Sequence, residues 1–142
     1  MVVVAAIDGV EGSTNVLVEA SKLAERFEVP LHIVFVYERS EHTHLANQYM
    51  DIAKPIPDER ISELTTKLVE DAAAGVVDEY ESVGRIGDPA EEIVAYANDV
   101  DADYVVVGGR SRSPVGKALF GSTAQGVLLD AGRPVLAVMD AK

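Results

Sequence analysis

Short apolar runs alternate along the chain with longer segments in which apolar residues recur at helical spacing. The short runs predict five strands, at Val2–Ile7, Leu31–Val36, Tyr80–Arg85, Tyr104–Val107 and Val135–Met139. The first run is nearly all aliphatic, which is typical of a strand buried on both faces. The third run is half polar, which favours a place at the edge of a sheet.

Four segments between these runs have the 3.6-residue periodicity of amphipathic helices. The first is Thr14–Phe27, for which Ser13 is a candidate N-cap. The second begins at Pro57 and ends near Gly75, and its expected apolar face is formed by Ile61, Leu64, Leu68 and Ala72. The third has Pro89 in its first turn and turns Ile93, Val94 and Ala97 inward, and the fourth is Ser122–Ala131. The polar stretch 38–57 is expected to be a variable loop.

Regular alternation of strands and helices predicts an α/β fold in which helices cover both faces of a parallel sheet. Ligands of such sheets bind at the carboxyl ends of the strands, where the winding of the chain reverses. Asp8 and Gly108 lie at the carboxyl ends of the first and fourth predicted strands. We therefore expect residues 1–142 to form one doubly wound domain with its site near these two residues.

The amino-acid composition excludes some kinds of chemistry and indicates which partners and which cellular compartment to expect. The chain has no cysteine, which excludes disulfides, thiolate metal sites and a cysteine nucleophile. We expect a cytoplasmic protein, because Met1–Ile7 lacks the basic start of a signal peptide and no apolar run approaches the roughly 20 residues of a membrane helix. The 24 acidic and 12 basic residues give a net charge of −12, so nucleic acid and anionic membranes are not expected partners.

The acidic excess is spread along the chain, and arginine outnumbers lysine by seven to five. An evenly acidic surface fits a salt-rich cytoplasm, because at about 1 M salt the Debye length falls to about 3 Å and self-repulsion is screened. This pattern favours a halophilic protein. An ordinary acidic protein is the alternative.

The main candidate for chemistry is a glycine loop. Gly108 and Gly109 follow an apolar strand, and Gly121-Ser122-Thr123 opens the last predicted helix. Free backbone N–H groups and a helix N-terminus are together suited to binding phosphate. The intervening loop carries Arg110, Arg112 and Lys117, three cations in an otherwise acidic chain. A simple strand-to-loop turn followed by ordinary helix capping would explain the glycines and hydroxyls without a ligand.

Other chemistry has weaker support. The loop lacks the Walker A pattern, and no Gly-x-Gly-x-x-Gly follows the first strand. His42 and His44, near Glu38 and Glu41, are a weak metal candidate, and His32 is expected to be structural. No serine or threonine has an evident partner base, and Asp8 is the single candidate general base, so an enzyme such as an ATPase or phosphotransferase is the least supported reading.

The chain resembles the universal stress protein family over nearly its whole length. The resemblance rests on four segments, namely Val4-Ala5-Ala6-Ile7-Asp8-Gly9 followed by Ser13, Ile33-Val34-Phe35-Val36, Gly87-Asp88-Pro89-Ala90-Glu91-Glu92-Ile93, and the glycine loop that leads to Arg133-Pro134-Val135-Leu136. It implies a five-stranded parallel sheet in the order 3-2-1-4-5. It also implies a homodimer in which the edge strand Val135–Met139 pairs with its copy, since an uncharged edge strand needs a partner.

The resemblance further implies a stress-response or signalling module that binds ATP, or ADP or AMP, together with Mg²⁺. Family members that bind ATP have Gly-x-x-Gly, nine residues, then Gly-Ser or Gly-Thr. Here Gly108, Ser111, Gly121 and Ser122 stand at those positions, so Ser111 replaces the second glycine. This departure leaves open a nucleotide-free dimeric interaction protein of the same fold.

Carried over residue by residue, the resemblance implies distinct roles at the site. The ribose or magnesium would be held by Asp8, and the adenine edge by the backbone of Val36. The implied nucleotide-binding set is Ala6, Ile7, Asp8, Val36, Gly108, Gly109, Arg110, Ser111, Arg112, Gly121, Ser122 and Thr123. The alternative for Asp8 is a turn-capping residue, and for Val36 a simple core position.

Overall fold

Strands and helices alternate in the computed structural model, which describes residues 1–10, 12–38, 57–109 and 121–139. The strands are β1 (Val3–Ile7), β2 (Leu31–Tyr37), β3 (Glu81–Ile86), β4 (Tyr104–Gly108) and β5 (Val135–Val138). The helices are α1 (Thr14–Phe27), α2 (Asp58–Ala73), α3 (Pro89–Asp99) and α4 (Ser122–Asp130). Every predicted strand and helix is present, with bounds that differ by about one residue at several ends.

The strands form one parallel sheet in the order β3-β2-β1-β4-β5, as expected. The central strand β1 pairs with β2 on one side and with β4 on the other, so that Ala6 lies opposite both Val34 and Val107. The chain runs from β1 outward to β2 and β3, and then crosses back to β4 and β5. The winding therefore reverses between β1 and β4.

Alternate side chains of β1 belong to two separate core layers. Val3, Ala5 and Ile7 pack with the apolar faces of α1 and α2. Val4 and Ala6 pack on the other side, with residues of α3 and α4. All five residues of β1 are buried, which explains why this segment contains no polar residue.

The ends of the helices agree with the caps and turns predicted from the sequence, with one exception. Asp88 caps α3 by accepting a hydrogen bond from the N–H of Glu91 at 3.1 Å, and Pro89 is the first helical residue. Gly75 follows α2 with a φ of +75°, a conformation that favours glycine. The prediction that the Ser13 side chain caps α1 is wrong. Ser13 has helical backbone angles instead of the extended ones of a capping residue, and its hydroxyl donates to the carbonyl of Gly9.

Two apolar residues of the predicted helices are exposed, including Leu64 from the expected apolar face of the second. Leu64 of α2 is 43% exposed, whereas the next residue, Thr65, is only 2% exposed. Phe27, the last residue of α1, is 47% exposed, and its ring stacks on that of Tyr104 with centroids 5.5 Å apart. The inward face of α2 is therefore rotated relative to the prediction, with a small polar residue facing the sheet.

The close approach of α2 to β3 explains the burial of Thr65. A Cβ atom at Gly84 of β3 would lie 2.2 Å from Oγ1 and 3.1 Å from Cβ of Thr65. The hydroxyl of Thr65 donates to the carbonyl of Ser62 at 2.9 Å and so remains satisfied while buried. Only glycine on β3 leaves room for this threonine.

We expect Gly84→Ala to destabilise the protein by about 1–3 kcal/mol, because the added methyl group overpacks a tight contact. Urea unfolding of Gly84→Ala, Thr65→Ala and the double variant measures the coupling between the two sites. The double variant should recover part of the loss, since the closest atom is removed. Gly9→Ala is the matched control, because a Cβ there meets nothing within 4 Å. Equal stability of Gly84→Ala and Gly9→Ala would contradict this account.

Candidate functional site

The carboxyl ends of β1 and β4 lie side by side at the point where the winding reverses. Asp8 follows β1 directly and is exposed, as is Gly108, the last residue of β4. A Cβ atom at Gly108 would lie 3.3 Å from Cγ2 of Val16 on α1. The glycine therefore lets α1 approach β4 and leaves the backbone at this edge uncovered. The fold brings together the two ends that the sequence singled out.

Ala6, Ile7 and Val36 offer only their backbones to a ligand, because their side chains are 7–8% exposed and belong to the core layers. The carbonyl of Pro30, just before β2, accepts a hydrogen bond from the N–H of Val3 in β1. The carbonyl of Tyr37, at the end of β2, accepts one from the N–H of Gly87, just after β3. Since residues of a parallel strand face alternate neighbours, the N–H and C=O of Val36 face the β1 side. Strand β1 ends at Ile7, opposite Phe35. The carbonyl of Val36 therefore points into the space beyond the end of β1.

The start of α4 has the properties of an anion site. Its first intrahelical bond runs from the N–H of Gln125 to the carbonyl of Gly121 at 3.0 Å. The amides of residues 122–124 therefore lie outside the bonds of the helix itself. Among the described residues, no side chain caps these amides, and the first turn contains no acidic residue. Ser122 is exposed and Thr123 is half-buried.

Helices α1, α3 and α4 differ in how the positive charge of their first turns is neutralised. Helix α3 is capped by Asp88 and carries Glu91 and Glu92 in its first turn. Helix α1, like α4, has no acidic residue in its first turn and no side-chain cap. A helix N-terminus carries a partial positive charge, and no carboxylate in the first turn of α1 or α4 offsets it. These are the two helices that follow β1 and β4.

One backbone donor of the glycine loop is already engaged. The N–H of Gly109 donates to the carbonyl of Val138 at 3.0 Å, which extends the pairing of β4 with β5 by one residue. Gly109 is thereby part of the sheet edge, and its amide is not free for a phosphate. No local sequence pattern predicts this bond, since it joins residues 29 positions apart.

Several predicted site residues lie outside the described residues. They are Arg110, Ser111, Arg112 and Lys117 of the glycine loop, and Glu41, His42 and His44 of the metal candidate. Within the described ranges, no group of three or more His, Cys, Asp or Glu residues is placed to hold a metal ion. Among the described residues of the implied nucleotide-binding set, Asp8 is the one that carries a carboxylate. No helix in the described part of the chain is long and apolar enough to cross a membrane.

A polar cluster that sequence analysis missed joins β2, β3 and α3. His32 lies with Nδ1 2.6 Å from the hydroxyl of Tyr96 and Nε2 3.0 Å from a carboxylate oxygen of Glu81. The guanidinium of Arg85 lies 5.1 Å from the ring centre of Tyr96 and 3.6 Å from Asp99. Burial and the charge of Glu81 raise the pKa of Tyr96, so its hydroxyl stays protonated at neutral pH. The structural role expected for His32 fits this cluster, which joins α3 to the sheet.

Comparison with known proteins gives a consistent family assignment. The model of the universal stress protein family matches residues 1–139. The stress response protein NhaX of Bacillus subtilis is 26% identical over 159 aligned positions, which cover 96% of each chain.

Solved structures show the same architecture. The universal stress protein of Archaeoglobus fulgidus in complex with dAMP is 25% identical, with a TM-score of 0.63 and 96% of each chain covered. A universal stress protein in complex with cAMP is 22% identical, with a TM-score of 0.64 over 98% of this chain and 96% of the other. The second likeness concerns the fold alone.

Proposed function

Because this chain belongs to the universal stress protein family, we propose that it is a stress-response module that binds an adenine nucleotide at the carboxyl ends of β1 and β4. The observation that carries the proposal is the start of α4, which has no side-chain cap among the described residues and no acidic residue in its first turn. The exposed Asp8 at the end of β1 is the second element of the proposed site. The complex of a family member with dAMP supports an adenine nucleotide as the ligand.

The proposal assigns each part of the nucleotide to a part of this edge. The phosphates lie against the amides and hydroxyls of Ser122 and Thr123, where a helix N-terminus favours anions. The adenine edge meets the backbone of Val36, and the sugar lies over Ala6 and Ile7. Asp8 holds a ribose hydroxyl or, when ATP is the ligand, its Mg²⁺.

The cations Arg110 and Arg112 complete the proposed phosphate site, with Ser111 and Gly108 as backbone positions of the loop. ATP is the proposed physiological ligand in the cytoplasm, and ADP and AMP share its adenosine contacts. We propose a ligand role for the nucleotide, with slow hydrolysis at most, because the described site offers Asp8 alone as a candidate base.

We expect Gly121→Val to weaken nucleotide binding by at least tenfold, because its side chain would stand between the phosphates and the α4 amides. Gly121 has a φ of −67° and a ψ of 159°, which valine adopts without strain, so the fold should survive with a loss of about 1 kcal/mol from the cap position. Isothermal titration with AMP and with ATP, in the presence and absence of Mg²⁺, measures the effect. Gly121→Ala should give an intermediate loss.

Ala95→Val, on the exposed side of α3, is the control and should bind like the wild type. Equal affinity of Gly121→Val and the control would remove α4 from the proposed site. A wild-type protein that binds none of these nucleotides would favour the alternative, a nucleotide-free dimeric interaction protein. The engaged amide of Gly109 and the serine at position 111 are the features that favour that alternative.

We also propose that the chain forms a homodimer through β5. This strand is at the edge of the sheet, and the segment Val135–Met139 carries no charge in a chain with 25% charged residues. Leu136 and Met139 are 38% and 36% exposed, and Leu128 of the neighbouring α4 is 40% exposed. An apolar sheet edge of this kind is protected when it pairs with a second copy.

Light scattering should give a mass twice the 15.2 kDa of the chain, and Leu136→Lys should reduce it to the monomer value. The lysine places two like charges at the paired edge, where direct opposition is unfavourable. Leu64→Lys is a matched control, because Leu64 has a similar exposure of 43% but lies on α2. A monomeric wild type, or equal loss of the dimer in both variants, would refute pairing through β5.

The acidic surface supports the proposal of a halophilic protein. The described carboxylates are mostly exposed, and the ion pairs of Glu19 with Lys22 and Asp101 with Arg133 also lie partly in solvent. Such a surface repels itself in dilute buffer and is screened by salt. The melting temperature should therefore rise between dilute buffer and molar KCl, and an unchanged melting temperature would refute the halophilic assignment.

A further inference from the structure

Helices α3 and α4 are in very close contact near the edge of the sheet that carries the candidate site. A Cβ atom at Gly126 of α4 would lie 2.8 Å from Cβ of Ala90 on α3, closer than the roughly 3.5–4.0 Å at which carbon atoms pack. Neither Cβ atom could turn away, because its direction is fixed by its own backbone. Any side chain at position 126 would therefore move one helix relative to the other.

The backbone does not require glycine at this position. Gly126 is an interior residue of α4, and it is not among the described glycines with a positive φ, which are Gly12, Gly75, Gly87 and Gly132. In a helix interior, glycine is less favourable than every residue except proline. The glycine is therefore explained by the space that α3 leaves, and not by the conformation of α4.

The contact lies close to the amides proposed to bind phosphate. Both helices begin at the carboxyl edge of the parallel sheet, since α3 follows β3 and α4 follows β4. Ala90 is the second residue of α3, and Gly126 is one turn after Ser122, about 6 Å along the helix axis. Because a helix is rigid over one turn, a displacement at Gly126 also displaces the first turn of α4.

The position of α4 is determined mainly by α3. Within the described part of the chain, α4 packs more extensively against α3 than against any strand of the sheet. Its buried residues Ala124 and Val127 belong to the core layer that also contains Ile93 of α3. The distance between the two helices, which is limited at Ala90 and Gly126, therefore sets the place of the first turn of α4.

We infer that Gly126 is a positioning residue of the proposed nucleotide site, and that its contact with Ala90 holds the first-turn amides of α4 where phosphate binds. This inference rests on the proposed function, since it concerns the same site. Gly126 acts through the position of Ser122 and Thr123, one turn before it. Binding groups need to lie within about 0.5 Å of their productive geometry, and relief of the 2.8 Å contact requires a larger shift, of about 0.7–1.2 Å.

The test separates the phosphate-dependent part of the affinity from the rest. Isothermal titration with AMP and with adenosine gives the ratio of the two affinities, and only AMP has the group proposed to meet α4. We expect Gly126→Ala to weaken binding of AMP by at least about fivefold and binding of adenosine by less than about twofold. Helix propensity alone predicts no loss for AMP, since alanine stabilises the helix that carries these amides.

Further variants show whether the effect comes from this contact. Ala90→Gly combined with Gly126→Ala removes the methyl group that the new side chain meets, so the double variant should bind AMP within about twofold of Ala90→Gly alone. Ala90→Val presses on the same contact from α3 and leaves the sequence of α4 intact, so it should also weaken AMP selectively. Ala95→Val, on the exposed side of α3, should bind both ligands like the wild type.

The possible results distinguish this inference from the proposed function. If the wild type prefers AMP to adenosine and both Gly126→Ala and Ala90→Val keep that ratio, the positioning role is overturned and nucleotide binding stands. A loss of stability with an unchanged ratio has the same meaning, since it shows a packing contact only. A wild type that binds adenosine as tightly as AMP overturns the assignment of phosphate to α4. One that binds neither adenosine nor any adenine nucleotide overturns the proposed function. Either result overturns this inference as well.

Discussion

Strand β1 has no polar side chain, and all of its residues are buried between two layers of helices. A strand that is apolar on both faces needs helices on both faces, and short connections then require the chain to wind in both directions from the centre. Helices α1 and α4, which follow β1 and β4, therefore lie on opposite faces of the sheet. The exposed backbone at Asp8 and Gly108 is a direct consequence of this arrangement.

Electrostatics decides which part of this edge suits an anion. The chain carries a net charge of −12, so most of its surface repels phosphate. Helix α3 follows the same pattern, since Asp88, Glu91 and Glu92 neutralise its positive end. Helix α4 departs from it, because its first turn contains only small, hydroxyl or amide residues and no carboxylate. The contrast between two neighbouring helices in one molecule supports the anion site better than the glycine spacing does alone.

Much of the fold could be predicted from local patterns. The aliphatic run at β1, the half-polar run at β3 and the Asp88-Pro89 helix start each depend on neighbouring residues, and the structure bears them out. The order of the strands came from the family resemblance. Periodicity alone failed at α2, where Thr65 is buried in place of Leu64 because Gly84, 19 positions away, leaves room only for a small side chain. Contacts between distant segments have no local pattern, which also explains why the cluster around Tyr96 was missed.

The bond between Gly109 and Val138 engages a backbone donor at the start of the glycine loop. The N–H of Gly109, a residue of the implied nucleotide-binding set, extends the β4–β5 pairing, so this glycine belongs to the edge of the sheet. Among the described residues this leaves the start of α4 as the proposed place of phosphate binding. Strand β5 contacts both sides of this region, Gly109 through the hydrogen bond of Val138 and α4 through the packing of Val135 and Ala137.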